Sequence, residues 1–212
     1  MTARMEKYFT VNAVVLRYSD FSESSRILTL LSAEYGILRV SAKAVKRKGS
    51  LNLPAAQLYA FCKYELCRGK NDIHTLVSGE PVENFYALAE DIDRFTAAGD
   101  ITALVLRTVT AEQPAPDILR LYLNSLFALC YGGKAPGLVK AVFTLRLFRE
   151  LGFLPDAAGV RTRFCPDCGP EAQAALTHIL ECDLQKLYGF RISDDLEALL
   201  AGIADRIRQE EA

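Results

Sequence analysis

A change of hydrophobic period near residue 80 constrains this chain more than any other feature. Before it, short runs rich in Val, Ile, Leu and Thr are separated by turn residues, the signature of strands. Strands are expected at residues 9–18, 24–32, 37–43, 57–67 and 73–78. Ser19-Asp20-Phe21-Ser22-Glu23, Glu34-Tyr35-Gly36 and Arg68-Gly69-Lys70-Asn71-Asp72 supply the turns, and a long basic loop joins the third strand to the fourth. Pro54, in the middle of that loop, cannot sit in a central strand. Five short strands with one long connection fit a small closed barrel of the OB type better than an open sheet, with an SH3-like barrel as the alternative.

Beyond residue 80 apolar residues recur at helical spacing over 91–109, 116–131, 137–151, 171–182 and 194–209. Pro116 suits a helix start, and Ser193 followed by Asp194 and Asp195 supplies a cap with negative charge in the first turn. Leu151-Gly152-Phe153-Leu154-Pro155 has the order of a glycine-terminated helix end. The helix around 118–130 is apolar almost all round, which predicts a central position and makes Cys130 a packing residue. The fold class is therefore α+β: a five-stranded OB-type barrel over residues 1–80, then a helical domain over 81–212.

No stretch approaches the ~18 consecutive apolar residues of a membrane span, and the N-terminal residues lack a secretory core, so a cytoplasmic protein is expected. In that reducing setting the six cysteines read as packing or metal ligands, not disulfides. The net charge of −1 hides an asymmetry: residues 1–80 hold twelve Lys/Arg against seven Asp/Glu, a balance of +5, and the remainder thirteen against nineteen, a balance of −6. A positive module is one that a polyanion selects, because phosphate contacts release condensed counterions.

Arg39, Lys43, Lys46, Arg47 and Lys48 are the densest cationic run, and no acidic residue lies between Tyr35 and Tyr64. OB proteins track a phosphate backbone with such loops and stack bases on aromatic rings. Tyr18, Phe21, Tyr35, Tyr59, Phe61 and Tyr64 are the available rings, several of them needed for the core, and Arg26, Lys63 and Arg68 extend the cationic path. A solvated surface loop is the simpler alternative. Enzymatic readings fare poorly: there is no GxxxxGK[ST] loop, no His-x-Glu beside the Cys165/Cys168 pair, and His74 stands alone in a strand, as a structural residue would.

Val14-Val15-Leu16, the run from Ser24 to Leu31, Tyr35-Gly36, the basic segment from Ser41 to Ser50, Leu53-Pro54, the run from Leu151 to Asp156 and Cys165-Pro166-Asp167-Cys168-Gly169 together resemble the RecO family, in order and across most of the chain. The resemblance implies an OB barrel and a helical domain. It also implies a non-enzymatic protein that binds single- and double-stranded DNA, anneals complementary strands and works with RecR and SSB to load RecA, with Lys43, Lys46, Arg47 and Lys48 as DNA contacts. A protein-interaction adaptor and an RNA-binding OB protein are the competing readings.

Many members of that family carry a zinc finger with two CxxC pairs, whereas this chain has one. A structural zinc needs four ligands, which Cys165-x2-Cys168-x9-His178-x3-Cys182 would supply, since an i, i+4 pair shares one side of a helix. The segment 160–182 is thus either a reduced zinc site or a degenerate, metal-free finger, and no cofactor is required.

Overall fold

The computed structural model describes residues 7–69 and 72–210; Lys70 and Asn71 of the predicted fourth turn lie outside the described residues, as do both chain ends. Strands β1 (Tyr8–Asp20), β2 (Arg26–Ser32), β3 (Gly36–Ala42), β4 (Phe61–Cys67) and β5 (Ile73–Glu83) close into a barrel in the order β1-β2-β3-β5-β4. All pairings are antiparallel except β3 with β5. The expected five-stranded OB-type barrel is present. Its interior follows the strand period: Val11, Ala13 and Val15 of β1 meet Leu28 and Leu30, Leu38 and Val40, Tyr64 and Leu66, and Leu76.

Several boundaries differ from the sequence reading for local reasons. Residues 57–60 are not strand, because Tyr59 has a left-handed φ of 64°. Instead, Tyr59 N–H donates to the Val15 carbonyl and Val15 N–H to that of Ala60. β1 carries a bulge between Val15 and Arg17, about where it changes partner from β4 to β2. β5 continues to Glu83 through Pro81, which pairs with Cys62 at a register shift, where a missing N–H is tolerated. A division at residue 80 therefore falls inside β5.

The chain forms two compact units, the first made of residues 1–85 together with 105–119. The later segment caps the β2–β3 turn with three backbone hydrogen bonds, from Ile37 N–H to the Thr110 carbonyl, from Glu112 N–H to that of Tyr35 and from Ala115 N–H to that of Ala33, at 3.3, 3.0 and 2.8 Å. Gly36 makes this approach feasible. It has φ +60°, and a Cβ there would lie 2.5 Å from the carbonyl oxygens of Thr110 and Gln113.

The second unit takes residues 86–104 and 120–212. The helices are α1 (Ile92–Thr108), α2 (Pro116–Cys130), α3 (Pro136–Glu150), α4 (Ala157–Phe164), α5 (Pro170–Glu181) and α6 (Asp194–Glu210). The buried Tyr122 hydroxyl shares a 2.7 Å hydrogen bond with Thr102 Oγ1, and its ring meets Phe143 edge-on. α2 buries most of its apolar residues, as its composition predicts, while Pro116, Asp117, Arg120 and Phe127 are exposed and Phe127 pairs with Tyr131. α3 ends as expected: Gly152 N–H donates to the Arg149 carbonyl and Phe153 N–H to that of Phe148, with the Phe148 and Phe153 rings in contact. Ser193 Oγ caps α6 by accepting from Leu196 N–H.

α4 is the helix that periodicity missed. It is only 8 residues long, buries three of them and contains glycine, so its start depends on Asp156, whose carboxylate accepts from Gly159 N–H. Among the described residues no helix is long and apolar enough to cross a membrane.

Candidate nucleic-acid interface

The cationic loop leaves β3 as a series of turns. Arg47 N–H donates to the Ala44 carbonyl and Ser50 N–H to that of Arg47, with Ala44 and Gly49 at φ 55° and 83°. One end is fixed to the β1–β2 turn. Val45 is buried, Ala44 N–H donates to Ser25 Oγ at 3.1 Å, and Lys46 N–H donates to the Ser24 carbonyl at 2.9 Å. The other end is fixed to β5 by Asn52, whose amide donates to the Val77 carbonyl and accepts from Gly79 N–H, both at 3.1 Å. Beyond it the buried Ala55, in the short 3-10 helix Pro54–Ala56, packs where Gly79 has no side chain. This backbone holds Lys43, Arg47 and Lys48 out in solvent.

Not all the local cations are equally available. Lys46 Nζ lies 2.8 Å from Asp20 Oδ2, and Arg26 Nε 3.4 Å from Asp20 Oδ1. The hydrogen bond from Lys46, assisted by Arg26, holds the Asp20 carboxyl below its usual range. Arg26 is further engaged: its Nη1 donates to the Ala56 carbonyl at 2.9 Å and its guanidinium lies 3.9 Å from the Tyr18 ring centre. With 13% of its side chain exposed, it is largely withdrawn from solvent. Among the described residues no carboxylate pairs with Lys43, Arg47 or Lys48.

The eight nominated cations do not form one path. Arg39 is exposed on β3, next to Thr29 of β2, which in turn faces Arg17 of β1 and accepts from Arg17 Nε at 3.4 Å. Arg17 escaped the sequence reading because strict alternation from Val11, Ala13 and Val15 points it inward, and the bulge at Leu16 turns it out. Lys63 lies on β4, which β5 separates from β3, and its cross-strand neighbours are Asn12 and Glu80. Arg68 stands at the opposite mouth of the barrel. There its guanidinium covers Phe9 at 4.5 Å, and Phe9 meets Tyr35 and His74 edge-on.

The proposed zinc ligands are not brought together either. Cys165 and Cys168 share the turn between α4 and α5, which Gln173 and Arg206 brace by donating to the Cys168 and Phe164 carbonyls. His178 turns elsewhere: its Nε2 lies 3.1 Å from the Lys186 carbonyl and its ring meets Phe190 edge-on. Cys182 caps the end of α5, and burial raises its thiol pKa, as it does that of Cys165. Among the described residues no three His, Cys, Asp or Glu side chains gather as a metal site. The residues present therefore do not fit a structural zinc: Cys182 N–H keeps the helical bond to the His178 carbonyl, but the His178 imidazole is engaged by the Lys186 carbonyl and the Phe190 ring.

The chain matches the family model described as Recombination protein O N terminal over residues 5–85 and that described as Recombination protein O C terminal over residues 89–177. It is 25% identical to a DNA repair protein RecO of Acetivibrio thermocellus, with 96% of this chain and 91% of that protein aligned. Proteins of the same name from Desulfitobacterium hafniense and Heliobacterium modesticaldum are 33% and 34% identical, over 78% and 80% of this chain. Those two matches span only 58% and 59% of the relatives' own length.

Proposed function

The chain belongs to the RecO family, and from that premise we propose that it acts in DNA repair by holding single-stranded DNA on its barrel, with Lys43, Arg47 and Lys48 on the phosphates. Annealing follows from such a grip: cations that engage only the backbone leave base edges free to pair with a second strand. The family resemblance adds double-stranded DNA as a ligand, RecR and SSB as partners and RecA loading as the outcome, all without catalytic turnover.

The observation that carries this reading is the fixed loop that presents three cations with no carboxylate partner among the described residues, within a stretch from Gly36 to Lys63 that contains no Asp or Glu. Lys46 supports the loop through Asp20, so the informative variant leaves it intact. Lys43→Glu/Arg47→Glu/Lys48→Glu is expected to weaken oligothymidylate binding strongly and to flatten its log–log salt dependence by about 2, at roughly 0.7 per lost phosphate contact on single strands. Unchanged affinity and slope would refute the assignment. An RNA competitor in the same titration tests the choice of polymer.

A further inference from the structure

The barrel structure separates the six candidate stacking rings. Tyr59 and Tyr64 are buried in the core, Tyr35 packs on Phe9, Phe61 is partly buried in β4, and Tyr18 lies beneath the Arg26 guanidinium. Phe21 is 74% exposed at the β1–β2 turn. That turn does not need the ring: it is closed by backbone hydrogen bonds from Phe21 and Ser22 N–H to the Ser25 carbonyl. An aromatic ring left in water brings no packing gain to the fold.

The same turn is fastened to the cationic loop at three points, Ser24 to the Lys46 amide, Ser25 to the Ala44 amide and Asp20 to the Lys46 ammonium. Phe21 follows Asp20 directly, so the ring is held at the same end of the barrel as Lys43, Arg47 and Lys48. Glu23 is the exposed carboxylate of this turn, and Asp20 is already neutralised by Lys46 and Arg26. The surroundings thus favour a polyanion with an apolar face, which is the chemistry of an unpaired nucleotide.

We infer that Phe21 is a stacking contact for an unpaired base of a nucleic-acid strand whose phosphates lie on the adjacent loop. This rests on the DNA-binding reading above and adds a base contact to it. Phe21→Ala is expected to weaken oligothymidylate binding roughly 5- to 150-fold, the usual range for one lost aromatic–base stack, and to leave binding of an abasic strand of the same length unchanged.

The chain has no tryptophan, so Phe21→Trp introduces a single indole reporter. Its fluorescence should be quenched by oligothymidylate and not by the abasic strand, while Phe127→Trp, on the exposed part of α2, should respond to neither. Wild-type affinity of Phe21→Ala for oligothymidylate, or an unquenched indole in DNA-bound Phe21→Trp, overturns the inference. If the triple glutamate variant loses binding in that experiment, only the stacking contact fails. If it too binds as wild type, the DNA-binding reading fails with it.

Discussion

His74 is the residue whose environment most directly reports on the state of the barrel. Its Nδ1 is buried with no hydrogen-bond partner among the described residues, its ring meets Phe9, and burial together with nearby Arg68 lowers its pKa, with Asp72 opposing. A depressed imidazole pKa means that the unfolded chain takes up a proton before the folded one does. Stability is therefore retained above the unfolded value, about 6.5, and lost as pH falls through it toward the folded value. His74→Phe, which keeps a ring against Phe9 and cannot titrate, should reduce the drop in urea midpoint between pH 7.5 and 5.5. An unchanged drop would remove His74 from the account. The sequence disclosed that this histidine stands alone in a strand, but the Arg68 beside it comes from tertiary structure. The same limit applies to the cations: all eight nominated residues are visible as charges, yet only register reveals that Arg26 is engaged, Lys63 faces Glu80 and Arg17 belongs with Arg39.

At the scale of elements, the interface depends on how the loop after β3 is clipped to β5. Asn52 bonds the backbone on both sides of Ser78, and Ala55 occupies the space above Gly79. A Cβ on Gly79 would lie 2.5 Å from that of Ala55, so Gly79→Ala must push the short helix off the strand. Overpacking of this kind costs about 1–3 kcal/mol. The expected outcome is a lower urea midpoint and faster amide exchange at Gly79, whose N–H bonds to Asn52, and wild-type exchange there would contradict the clip. The strands and long helices were legible because their period extends over many residues, whereas the clip joins residues far apart in the chain and left no local pattern. α4 was invisible for the opposite reason, being too short to establish a period. The cysteine segment resembled a finger because spacing places ligands along a chain, but not in space.

Across the whole molecule, the sequence sets a balance of +5 on residues 1–80 against −6 on the remainder, and the two compact units are not separated by a single cut. The barrel unit includes residues 105–119, after the chain has already contributed to the helical unit. A fragment ending at residue 85 would lack the acceptor for Ile37 N–H and the donors to the Ala33 and Tyr35 carbonyls. It is expected to unfold at lower urea than a chain extending through residue 119, with loss of Ile37 amide protection. Equal stability would show that the cap on the β2–β3 turn is dispensable. The same discontinuity bears on synthesis, since domains generally fold from the N-terminus as the chain emerges. A nascent barrel with all five strands released still lacks its partners at the second turn until Ala115 leaves the ribosome, and for that interval its bare backbone groups are open to strands of neighbouring nascent chains.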